Sequence, residues 1–145
     1  MKIINNPSIE KAKIQIKKAN PPIIVQARDD VFNRKLLEYG KFDVILSIEK
    51  GNQRRHTIRQ IDSGLNHVLA KIATKNRIKI GIDIKEISRL SKNEKARRLS
   101  KIRQNIQICK KARTKLTIIN LESKKDAQYF LLSLGASTSQ AKEAT

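Results

Sequence analysis

The run Asp62-Ser63-Gly64-Leu65-Asn66-His67 is the densest set of reactive side chains in the sequence. An acid, a hydroxyl and an imidazole stand close together there, with Ser63 and His67 four apart, which is the inventory of a nucleophile, its base and an orienting carboxylate. That chemistry also needs an oxyanion hole and a base held by its second nitrogen, and no neighbouring residue type supplies either. The same residues suit a helix start. Asp62 or Ser63 can accept from the free amides of a first turn, and acid at that end complements the helix dipole. Asp62 and Ser63 are therefore expected to cap a helix over residues 63–76. Its exposed amides would offer a phosphate site, with Asn66 and His67 adding polar contacts.

Other chemistries lack their residues. The two His, His56 and His67, are eleven apart, and there is no HExxH spacing or paired Cys for a metal. Asp83 ends an apolar run, where a barrel enzyme would place a carboxylate. It also directly precedes a short helical pattern, Ile84 to Leu90, and capping is the simpler use. No GxGxxG or GxxxxGK[ST] occurs. The lone Cys109 falls within an apolar helical stripe, so it reads as a buried thiol in a reducing, cytoplasmic compartment. No catalytic residue, no metal ligand and no protein-bound cofactor is expected. No run reaches the length of a membrane span, and no secretory signal is recognisable at the amino terminus, so no membrane partner is expected either.

What the sequence has in excess is positive charge. Of the net +19, nearly all lies between Lys50 and Lys115, where twenty Lys and Arg face four Asp and Glu. Such self-repulsion weakens a compact state unless a partner neutralises it, and phosphate backbones reward clustered cations through counterion release. Aromatic residues make up 3% of the chain and lie outside this stretch, so stacking on unpaired bases is not the expected mode. Shape and backbone contacts remain. The candidate RNA-binding residues are Arg54, Arg55 and Arg59 in a polar connection over residues 48–62, and Asn66, His67 and Lys71 in the helix after it. A later helix adds Arg97, Arg98, Lys101, Arg103, Asn105 and Lys110.

The elements that must position these residues alternate. Short β-branched runs at Lys2 to Ile4, Ile23 to Gln26, Asp43 to Ser47, Ile78 to Asp83 and Leu116 to Ile119 read as buried parallel strands. Between and after them, helices are predicted over Ser8 to Ala19 (capped by Ser8), Asp30 to Tyr39 (capped by Asp29 or Asp30 and stopped by Gly40), residues 63–76, Asn93 to Arg113 and Lys124 to Leu134. In the longest, Leu99, Ile102, Ile106 and Cys109 recur on one face. The class is α/β, a single domain of parallel βα repeats over residues 1–145. Five strands make an open sheet or a shortened barrel, since a closed eight-stranded barrel takes about 200 residues or more. Residues 136–145 are expected to form a weakly ordered tail.

The run from Arg59 to Ala73, with Asn76, Ile80-Gly81-Ile82-Asp83, Arg103-Gln104-Asn105-Ile106, Cys109 and Leu132-Ser133-Leu134-Gly135-Ala136, resembles the ribonuclease P protein component 3 family of archaea and eukaryotes. The likeness covers roughly residues 23–140. It implies a TIM-barrel-like fold and a place in a ribonucleoprotein that removes 5′ leaders from precursor tRNA. It also implies chemistry left to a Mg²⁺-dependent RNA, and pairing with protein component 2 beside other holoenzyme proteins. Family members are typically longer, so the domain is expected to be a shortened or incomplete barrel. Two rival readings are a generic RNA-scaffold protein, such as a ribosome-associated subunit, and a metal-dependent barrel hydrolase.

Overall fold

Residues 2–50 and 61–145 are described by the structure, a computed structural model. Among the described residues, five parallel strands, β1 (Ile3–Ile4), β2 (Ile24–Gln26), β3 (Val44–Leu46), β4 (Lys79–Asp83) and β5 (Leu116–Ile119), pair in sequential order. A doubly wound sheet reverses its strand order. A sequential parallel sheet winds one way, as a barrel does, and here β1 and β5 are its outer strands.

Register assigns the two faces. Ile4, Val25, Ile45, Ile80 and Leu116 align across all five strands. They belong to the main core, together with the buried residues of the helices. The alternate residues Ile24, Val44, Leu46 and Ile119, with Ile3 beside them, form a second cluster made of strand residues only. Helices therefore cover one face, as the period of two along each strand requires. Gly81 lies on the other: a Cβ there would sit 2.6 Å from Val44 Cγ1 and 3.2 Å from Leu46 Cδ1, so β3 side chains lean across β4 only because it is glycine.

The helices carry their start and stop signals in the sequence. Ser8 caps α1 (Ile9–Lys18), and Asp29 caps α2 (Asp30–Tyr39), which closes on left-handed Gly40. Asp83 caps α4 (Ile84–Ser88) through bonds from the amides of Lys85 and Glu86, the use expected of it. Ser91 caps the 21-residue α5 (Lys92–Ala112), whose Ile102, Ile106 and Cys109 are buried at helical spacing. Each Ile so buried contributes on the order of 1.5–3 kcal/mol. Ser123 caps α6 (Lys124–Ser133).

Residues 136–145 are not a loose tail. Ser137 and Gln140 form a reciprocal capping box that starts α7 (Thr138–Glu143). Ala141 and Ala144 are buried in the core, and Gln140 Nε2 donates to the Ile106 carbonyl of α5.

Candidate nucleic-acid interface

The helix after the basic connection starts later than expected. α3 spans His67–Lys75, and its cap is Asn66, whose Oδ1 accepts from the Leu69 amide at 2.9 Å. Asp62 and Ser63 do not cap it. Gly64 is left-handed, with φ +78°, and turns the chain once more before the helix begins. Asp62 Oδ1 accepts from Gly64 N inside that turn, and the buried Ser63 hydroxyl faces the Leu65 carbonyl at 3.4 Å. With its hydroxyl buried among its own turn, Ser63 is not presented to His67, which is exposed on α3. No acid stands in the first turn of α3, and Asn66, His67 and Lys71 are exposed.

α3 and α5 are locked together at their carboxyl ends. Thr74 and Thr114 hydroxyls lie 2.8 Å apart, Thr114 Oγ1 donates to Ala70 O at 3.0 Å, and Thr74 Oγ1 donates to Ala112 O at 3.1 Å. Cys109, beside this junction, is buried, and burial pushes its thiol up to about 12 against a lowering hydrogen bond with Thr114. It is an inert packing group. Both helices lie on the same sheet face, so their outward sides make one continuous surface. Lys71, Lys75, Arg97, Arg103, Lys110 and Lys111 are exposed on it.

Three residues assigned to that surface from the sequence turn inward instead. Arg98, Lys101 and Asn105 are 9%, 6% and 3% exposed. They fall in the same rows, four residues apart, as Ile102, Ile106 and Cys109, so the helix carries them into the packed side. Arg98 bonds two acids, donating through Nη2 to Glu49 Oε1 at 3.0 Å and through Nη1 to Glu86 Oε1 at 3.1 Å. Asn105 Nδ2 donates to the Ser63 carbonyl at 3.2 Å. Burial holds the Glu49 carboxyl above the ordinary carboxylate range, with the Arg98 charge opposing it. Sequence spacing carried the signal for these three, but charge type masked it.

Of the other assigned residues, Arg97, Arg103 and Lys110 are exposed on α5, and Lys110 Nζ also donates to the Gly135 carbonyl. Arg54, Arg55 and Arg59 lie outside the described residues. Among the described residues, no group of three His, Cys, Asp or Glu could hold a metal ion, and no helix is long and apolar enough to cross a membrane. The arrangement offers cations and helix amides to an extended polyanion.

No protein-family model matches the chain. It is similar to the ribonuclease P protein component 3 of Methanococcus vannielii, 30% identical over 120 residues that cover 81% of this chain and 48% of the relative. The protein of that name from Methanococcus maripaludis is 24% identical over 79% of the chain and 46% of the relative. That of Methanosarcina mazei is 29% identical over 61% and 34%. The chain spans about half the length of the first two of these relatives. Its fold matches a chain in the cryo-EM structure of archaeal ribonuclease P with mature tRNA, at a TM-score of 0.80 and 24% identity, covering 98% of this chain and 62% of that one.

Proposed function

We propose that this chain, a homologue of the ribonuclease P protein component 3 proteins, is a protein subunit of ribonuclease P that binds the catalytic RNA and stabilises its active shape. Precursor tRNA is then the substrate of the assembled particle, and the RNA with its Mg²⁺ does the cleaving. The polypeptide supplies no catalytic group and no cofactor of its own. Component 2 and other holoenzyme proteins are its protein partners, and the cytoplasm is its place of work.

The observation that carries this reading is α5, acid-free after Glu94 and presenting Arg97, Arg103, Lys110 and Lys111 outward. A solvated helix face normally mixes signs. One that does not is suited to phosphates, each neutralised contact releasing counterions. The similarity to component 3 proteins supports ribonuclease P RNA as the partner. Reconstitution tests it: precursor tRNA cleavage should require the RNA and rise when this chain is added. Cleavage by the purified chain without RNA would overturn the reading.

A further inference from the structure

β1 is an outer strand, so among the described residues one of its edges pairs with no other strand. An edge left this way is a row of unused backbone donors and acceptors. Beside it lies a groove of about 740 Å³, lined by Ile3 and Ile4 of β1, by Lys18 and Ala19 where α1 ends, and by Lys2 and Ile23. The other outer strand, β5, has α7 packed against it.

The two faces of this edge differ. Ile4 packs into the core beneath the helices, while Ile3 extends the apolar cluster made of strand residues. By strand alternation Lys2 falls on the Ile4 side, the side that α1 covers. Lys18 comes to that side from the last turn of α1. Both lysines are exposed, and among the described residues neither pairs with an acid. An added strand would thus meet cations on one face and apolar side chains on the other, and its own side chains alternate with the same period.

A peptide backbone matches such an edge because it carries donors and acceptors in turn, whereas phosphates only accept. A second copy of this chain would bring a further net charge of +19 toward the lysines, and like charges repel.

We propose that the β1 edge is a docking site for an extended segment of another polypeptide, in which acidic and apolar residues alternate. The segment adds to the sheet as a strand, with its carboxylates toward Lys2 and Lys18 and its apolar side chains beside Ile3. The proposal does not depend on the RNA-binding reading.

The test uses the full chain and an end-blocked peptide of about eight residues that alternates Glu and Val. A peptide with Lys in place of each Glu is the control. The Glu peptide is expected to bind and to slow hydrogen exchange of the backbone amides of residues 2–5, and the Lys peptide to bind about tenfold or more weakly. Lys18→Glu should weaken binding of the Glu peptide by about tenfold, and Lys18→Gln by less, with circular dichroism verifying that each variant folds. Lack of binding, equal binding of the two peptides, an unchanged affinity in folded Lys18→Glu, or protection that falls on α5 rather than on residues 2–5 would overturn the proposal. So would a dimer formed without peptide in which residues 2–5 are already protected, since a second copy would then hold the edge.

Discussion

Arg97 and Arg98 are neighbours on one helix with the same side chain, and the fold gives them opposite work. Arg97 is exposed on the outward side of α5, where its charge is available to a partner. Arg98 is buried and spends its hydrogen bonds on Glu49 and Glu86. The same division separates Arg103 and Lys110 from Lys101 and Asn105. Basic composition made the helix a candidate RNA-facing element, but a hundred degrees of rotation per residue decides which cations turn outward and which organise the protein.

The largest effect should follow from breaking the inward set. Arg98→Met alone strands Glu49 and is expected to cost about 3–5 kcal/mol in urea unfolding at neutral pH. Arg97→Met should stay within about 0.5 kcal/mol. Equal losses at the two positions would erase the distinction between them.

The pH dependence sharpens it. Burial raises the folded pKa of Glu49, so between its unfolded and folded values the folded state binds more proton. Its contribution is most favourable at acid pH and is lost as pH rises from the ordinary carboxylate range through the folded value. Removing Arg98 takes away the charge that opposes this shift. The Arg98→Met penalty should therefore shrink as pH falls, and Glu49→Gln should flatten that dependence. A penalty that does not change with pH would show that the Arg98 charge does not oppose the shift at Glu49.

A smaller effect separates the two ends of the turn before α3. Asn66→Ala should cost about 1 kcal/mol through loss of its cap. Asp62→Ala removes only a bond within the turn and should cost about half that or less. Comparing urea midpoints of the two variants decides which residue starts the helix.

Local signals made much of this legible in the sequence. The β-branched runs located all five strands, and Ser8, Asp29, Gly40 and Asp83 marked helix ends because capping is decided within a few residues. The extent of α5 was readable from the spacing of Leu99, Ile102, Ile106 and Cys109. Which of its polar residues turn inward was not, because Glu49 and Glu86 reach Arg98 from distant parts of the chain. The start of α3 was misplaced because Asp62, Ser63 and Asn66 are all good caps, and only the left-handed turn at Gly64 chooses among them. α7 was missed although Ser137 and Gln140 spell a capping box, since its small residues show no apolar stripe until Ala141 and Ala144 meet the core.

The central claim is that the outward cations of α5 meet phosphate and the inward ones do not. Its most direct test is the salt dependence of binding to a ribonuclease P RNA transcript. Arg103→Ala should lower the slope of log affinity against log salt by about one unit. In the folded Glu49→Met, Arg98→Met variant, Arg103→Ala should remove the same unit again, because that contact does not depend on the inward set. An unchanged slope for Arg103→Ala in the wild-type chain would contradict the account.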